Sequence, residues 1–191
     1  MCGRYYLGDD SEQLEVITKA SERAACSDYG QSFKAKTGEI FPSDIVPVLT
    51  MNCKPTLMKW GFTKSVGKGL LINARSETVK SLSTFSELLQ NRRCLIPASA
   101  FFEWKTEGTR KQKYSFSINE DLLYMAGLYR QEANMPLPCF VVLTQESLAD
   151  AAKIHDRMPV VFKEKNLLSW FLEDTETLLN NVCYELLIQQ V

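Results

Sequence analysis

The sequence predicts an α+β fold, a single domain with a curled, mainly antiparallel, barrel-like β-sheet core and peripheral helices. Three observations predict it. Short apolar runs bounded by Pro, Gly and Asn recur along the chain, the connections between them are too short for the regular helices of a βαβ repeat, and helical periodicity is confined to a few segments. The 191 residues match one domain of ordinary size, and no internal repeat, low-complexity tract or linker divides them, so the domain is expected to run over residues 1–191.

The first element is a helix from about Ser11 to Ala25, where Leu14, Ile17, Ala20 and Ala24 recur at near-helical spacing and Asp10 with Gln13 forms a capping box. Strand-like runs follow at Ile45 to Leu49, Thr56 to Trp60 and Leu70 to Ile72. A short helix is expected near Thr84 to Arg92, because Phe85, Leu88 and Leu89 share a face. Further strands are expected at Arg93 to Ile96, Tyr114 to Ile118, Leu122 to Tyr129 and Cys139 to Leu143; the Tyr114 run alternates with period two. Two helical stretches, near Ser147 to Ile154 and near Glu164 to Leu172, precede a last strand around Tyr184 to Ile188.

Charge restricts the partners. The chain carries 22 basic and 23 acidic residues, so a nucleic-acid site must be a local patch rather than a property of the whole surface. Neither an apolar run of the ~18 to 20 residues that a membrane span requires nor a hydrophobic secretion signal at the start is visible, which points to the cytoplasm or the nucleoid within it and to no membrane partner. The cysteines Cys2, Cys26, Cys53, Cys94, Cys139 and Cys183 contain no CxxC pair, and His155 is the chain's one histidine. No metal site and no cofactor are therefore expected, and the cysteines read as reduced thiols that mostly fill the core.

Cys2 differs from the others by position. Removal of Met1 would leave an α-amine and a thiol on adjacent carbons, with reference pKa values of about 7.7 to 8.0 and about 8.5, so both nucleophilic forms exist near neutral pH. An aldehyde can condense with the amine as a Schiff base and then be closed by sulfur into a thiazolidine. Position alone favours a frayed or buried terminal thiol of no consequence. A terminal nucleophile needs a proton carrier from elsewhere in the chain.

Three sites supply candidates. Asn73 opens Asn73-Ala74-Arg75-Ser76-Glu77-Thr78 at a strand end, where its amide can bond a substrate oxygen and Arg75 a phosphate; the same run also reads as a turn and helix cap. Glu103 lies in the aromatic run Phe101-Phe102-Glu103-Trp104, where burial would raise its pKa toward 7 and exposure would leave an ordinary acid. His155, in Ile154-His155-Asp156-Arg157-Met158-Pro159, fits a second proton carrier or a structural histidine.

Several blocks in order resemble one family. Met1-Cys2-Gly3-Arg4, Trp60-Gly61-Phe62, Asn73 to Thr78, Arg93 to Pro97, Phe102-Glu103-Trp104, Ala126 to Tyr129 and His155 through Pro159 are similar to the blocks of the SOS response-associated peptidases, the abasic-site processing proteins. The resemblance implies a protein that recognises abasic sites in single-stranded DNA and cross-links to the sugar aldehyde through a thiazolidine at Cys2; a monomer is expected. It implies that Asn73 orients the terminal amine or the sugar, that Glu103 assists ring opening and proton transfer, and that His155 stabilises the opened sugar and takes part in reversal. Arg4, Arg75, Arg157 and Thr144 are implied to hold the DNA backbone, and Trp60 to belong to the DNA-binding set. Removal of the leading peptide in cis and a lyase-type activity are further implications.

The block after Trp60-Gly61-Phe62 departs from the family. It continues Thr63-Lys64-Ser65-Val66-Gly67-Lys68-Gly69 where many members carry another aromatic, and a base stacked on an aromatic contributes roughly 1 to 3 kcal/mol. Two other functions fit the same residues: a cysteine hydrolase that uses Cys2 with His155 and Glu103 on peptides, and a non-covalent reader of modified or single-stranded DNA.

Overall fold

The computed structural model describes residues 2–8, 10–120, 122–173 and 185–191. Its elements run β1 (Tyr5–Leu7), α1 (Glu12–Tyr29), β2 (Gly38–Ile40), β3 (Ile45–Thr50), β4 (Lys54–Trp60), β5 (Phe62–Thr63), β6 (Leu70–Leu71) and β7 (Asn73–Arg75). After α2 (Ser83–Asn91) come β8 (Arg93–Ala98), β9 (Ala100–Glu107), β10 (Arg110–Ser117), β11 (Leu123–Arg130) and β12 (Cys139–Glu146). The described chain ends with β13 (Arg157–Pro159), β14 (Val161–Phe162), α3 (Leu167–Leu172) and β15 (Leu187–Gln190).

Helix α1 starts on Ser11, whose hydroxyl accepts the Leu14 amide at 3.0 Å in place of the expected Asp10 and Gln13 box. Gln13 instead donates to the Tyr124 hydroxyl at 3.1 Å and to Glu164 at 2.8 Å, which ties the helix to the sheet. The helix runs past Ala25 until Gly30, whose φ of 68° is the left-handed conformation that ends a helix cheaply only in glycine. The stretch near Ser147 to Ile154 is a 3₁₀ turn (Ala149–Lys153) and not an α-helix, because Ala149 sits at a φ of 48°. The stretch near Glu164 to Leu172 divides into a 3₁₀ turn (Glu164–Asn166) and α3. Of the last expected strand, Tyr184 lies outside the described residues and the pairing begins at Leu187.

Two sheets carry the fold. In the larger one, β12 pairs β4, β4 pairs β3, β3 pairs β8, β8 pairs β11, and β11 returns to β12, so five strands close into a barrel. The closure is mixed. Strand β12 runs parallel to β4 through Cys139↔Lys59 and Phe140↔Trp60 and, further along, parallel to β7 through Val142↔Asn73 and Thr144↔Arg75. Gly127 lets β11 and β12 meet at this closure: a Cβ there would lie 2.8 Å from the Val141 carbonyl oxygen and 2.6 Å from Ile96.

The smaller sheet has the order β15-β10-β9-β1-β2 and is antiparallel throughout. Its inner residues meet the barrel in one continuous core. Tyr5 packs on Trp60 with ring centroids 5.2 Å apart, Trp60 stacks on Phe140 at 6.3 Å, and Phe101 stacks on Phe116 at 4.8 Å. Along β9, period two sends Phe101 and Glu103 inward and Phe102 and Trp104 to the outer face. No helix among the described residues is long and apolar enough to cross a membrane.

Candidate active site

The ladder between β1 and β9 sets the geometry. Tyr5 faces Phe101, and the Phe102 amide donates to the Arg4 carbonyl at 2.9 Å. Extended by two residues, this register sets Gly3 opposite Glu103, and Cys2 lies close enough to Glu103 for its charge to act on the thiol. Cys2 is fully buried, and its thiol donates to the Arg4 carbonyl at 3.7 Å.

Asn73 reaches the same place from the barrel. As the first residue of β7 it is fixed by the parallel pairing with β12, and its Nδ2 donates to the Cys2 carbonyl at 2.8 Å. Its Oδ1 is buried and, among the described residues, has no hydrogen-bond partner, which leaves an acceptor at the site. His155 arrives on the turn before β13, with Nε2 3.9 Å from Oε2 of Glu103. That separation suits an ion pair and is too long for a hydrogen bond.

Burial dominates the electrostatics. It pushes the Glu103 carboxyl up to about 7 from an ordinary 4.5, so protonated and ionised forms coexist near neutral pH. It also raises the Cys2 thiol far above the usual range, and the charge of Glu103 adds to the rise, so the thiol is protonated in this state. Burial lowers His155, which favours the neutral ring. The Arg157 amide donates to Nδ1 of His155 at 3.0 Å, whereas the Asp156 carboxylate lies 2.9 Å from the same nitrogen. These contacts favour different proton positions: the amide suits an Nδ1 lone pair with the proton on Nε2, facing Glu103, and Asp156 suits the charged ring.

The residues expected to hold DNA fall into three groups. Arg75 is exposed and makes no ion pair among the described residues. Arg4 and Arg157 are already engaged. Arg4 donates to Glu39 at 3.2 Å, and its guanidinium lies 4.4 Å from the Phe41 ring centroid and 5.0 Å from that of Trp104. Arg157 forks onto both oxygens of Glu77 at 2.7 and 3.0 Å and also donates to the Thr144 carbonyl at 2.8 Å.

Trp60 and Thr144 lie inside the fold. The Trp60 indole is buried between Tyr5 and Phe140 and donates to the Ile72 carbonyl at 3.1 Å, so the expected DNA-facing ring is a core ring in this conformation. Thr144 is buried beside Ala74 and meets Arg157 at 3.3 Å. Both position the site from behind. The β5–β6 turn, where the family aromatic is missing, exposes Lys64, Val66 and Lys68.

Sequence reasoning missed Glu39, Glu77, Phe41 and Lys113. Lys113 donates to Glu39 at 2.7 Å and lies 3.7 Å from the Phe102 ring centroid. Lys113 lies just before the expected Tyr114 to Ile118 strand, and the pairing Lys113↔Trp104 places it in this cluster. Among the described residues no three His, Cys, Asp or Glu side chains gather into a group that could hold a metal ion.

Fold and site together define a protein of the SOS response associated peptidase (SRAP) class, and the chain belongs to that family: the family model matches residues 1–189. Curated relatives include abasic site processing protein YoqW of Bacillus subtilis, 28% identical over 186 residues that cover 89% of this chain and 80% of that protein. Abasic site processing protein YoaM of the same organism is 32% identical over 182 residues, covering 89% of this chain and 78% of its own length. A crystal structure of a protein from Bacteroides thetaiotaomicron shares the fold with a TM-score of 0.78 at 16% identity, over 100% of this chain and 92% of that one. A Bordetella bronchiseptica protein does so with a TM-score of 0.74 at 19% identity, over 100% and 99% of the two chains.

Proposed function

We propose that this chain is an abasic-site processing protein that traps the sugar aldehyde of an abasic site in single-stranded DNA as a thiazolidine on Cys2. The observation that carries the reading is convergence from three separate elements: Asn73 bonds the Cys2 carbonyl, the charge of Glu103 acts on the Cys2 thiol, and His155 lies 3.9 Å from Glu103. That the relatives YoqW and YoaM are named abasic site processing proteins supports the substrate class.

The chemistry follows from the groups present. Once Met1 is removed, by an aminopeptidase or in cis, the Cys2 amine attacks the aldehyde carbon. Glu103, poised at about 7, opens the closed hemiacetal and protonates the departing hydroxyl, so water leaves and an imine remains. The Cys2 sulfur then adds to the imine carbon while its proton passes to nitrogen, which closes the ring without any other reactant. Asn73 holds the Cys2 carbonyl so that the amine and thiol face the sugar, and its free Oδ1 accepts from a sugar hydroxyl or the amine. Neutral His155 donates from Nε2 to the opened sugar oxygen and assists reversal. Arg75 takes a flanking phosphate, and Arg4 and Arg157 do so by exchanging their carboxylates for DNA.

The thiol's raised pKa favours this order, amine first, over a thiolate hydrolase. The test is mass spectrometry of the processed protein after incubation with single-stranded DNA that carries one abasic site. A covalent adduct with loss of one water per imine or thiazolidine, absent in Cys2→Ala and after α-amine acetylation, is expected. Turnover of peptides that survives acetylation would favour the hydrolase, and lesion binding that survives Cys2→Ala without an adduct would favour the non-covalent reader.

A further inference from the structure

The outer face of the smaller sheet holds a cluster that the cross-linking chemistry does not use. On it, one carboxylate oxygen, Oε1 of Glu39, accepts from both Lys113 at 2.7 Å and Arg4 at 3.2 Å. Both cations rest on rings: Arg4 on Phe41 and Trp104, and Lys113 on Phe102. The three side chains are partly exposed, at 35% for Arg4, 33% for Glu39 and 23% for Lys113, and Phe41 at 42% is open to solvent beside them.

We propose that Arg4 and Lys113 form a phosphate subsite for single-stranded DNA and that Glu39 occupies it in the free chain as an internal competitor. The proposal rests on the single-stranded DNA reading above and adds Lys113 as a ligand and Glu39 as the residue that limits affinity. Three physical points carry it. Two cations converge on one anion, so a net positive charge remains at a half-exposed spot. A carboxylate that serves both cations with one oxygen is a poorer partner than a phosphodiester, whose two free oxygens can serve them separately. The rings hold the cations by cation–π contact, so the pair keeps its geometry when Glu39 swings out. Next to them, the exposed Phe41 offers a ring on which a flanking base stacks.

Position supports the assignment. Trp104 follows Glu103 on β9 and points to the opposite face, and Arg4 lies two residues from Cys2, so the subsite occupies the other face of the strands that carry the reacting groups. A strand of DNA whose lesion enters the inner cluster passes the edge of the sheet there.

The test is the affinity of the purified full chain for an undamaged oligothymidine of about 15 nucleotides, followed by fluorescence anisotropy across a salt series. Glu39→Gln is expected to tighten binding by about three- to tenfold. Lys113→Gln is expected to weaken it and to lower the salt slope by about 0.7, the loss of one phosphate contact on a single strand. In the double variant, the gain from Glu39→Gln should shrink, because the two act through one site. Both single variants should still melt in one cooperative transition, which a general loss of structure would not allow. If Glu39→Gln leaves affinity unchanged or weakens it while Arg4→Ala weakens it severalfold, the subsite is refuted and the DNA reading stands. If the unaltered chain binds no oligothymidine and forms no adduct with abasic DNA, both readings fall. Should Glu39→Gln lower the melting temperature, Lys113→Gln decides alone, and an unchanged salt slope in it overturns the proposal.

Discussion

Glu103 and Glu39 lie in the same small sheet and titrate in opposite directions. Glu103 faces the interior, and burial raises it to about 7. Glu39 faces outward; its partial burial would raise it too, but hydrogen bonds from Lys113 and Arg4 outweigh that and hold it below the ordinary carboxylate range. The difference teaches how one sheet divides labour. Its inner face keeps an acid ready to move a proton, and its outer face keeps cations ready to meet an anion.

The sharpest way to break this division is Cys2→Ala. It should abolish the adduct entirely while binding to undamaged single-stranded DNA stays within about twofold, because the outer cluster is untouched; a denaturing gel and anisotropy on the same preparation read both. Glu103→Gln comes next. It should slow adduct formation by about 100-fold, the low end of what a positioned acid–base group contributes, and remove the inflection near pH 7 from the pH–rate profile. Trp104→Ala probes the other face. Loss of the ring under Arg4 should weaken DNA binding by about tenfold without moving that inflection.

The smallest effect concerns stability and tests the sign of the comparison. The raised Glu103 contributes stability that is complete below its ordinary 4.5 and is lost as pH rises through about 7. The depressed Glu39 contributes stability present above 4.5 and lost as pH falls through its lowered value. Melting temperatures should therefore show Glu103→Gln gaining on the unaltered chain between pH 5 and pH 8, and Glu39→Gln gaining on it only as the solution becomes acidic. Parallel curves for the two variants would show that the faces do not differ electrostatically.

Much of this was legible in the sequence, and the remainder was not for identifiable reasons. Most long patterns were readable: α1, α2 and strands β3, β4, β8, β10, β11 and β12 follow their periodicity and punctuation, whereas the eight-residue β9 was not among the expected strands. The strands of two or three residues, β1, β2, β7, β13 and β14, carry too few side chains to show alternation, and tertiary pairing alone makes them strands. The mainly antiparallel expectation holds, and the parallel seams of β12 with β4 and β7 join strands far apart in the chain, which no local pattern reveals. In the site, Cys2, Asn73, Glu103 and His155 stand in recognisable blocks, whereas Glu39 and Lys113 meet only across strands. An aromatic block such as Trp60-Gly61-Phe62 does not reveal which ring is core, and here burial takes Trp60.

Asn73 grips Cys2 by its carbonyl oxygen. That bond does not involve the Cys2 nitrogen, so trimming the leader frees the amine of a residue whose carbonyl stays held. Engineers who wish to cage the reagent can extend the chain there with a cleavable cap and expect the uncapped side chain to return to the same cradle, whereas an Asn73→Ala background should leave it adrift even when uncapped.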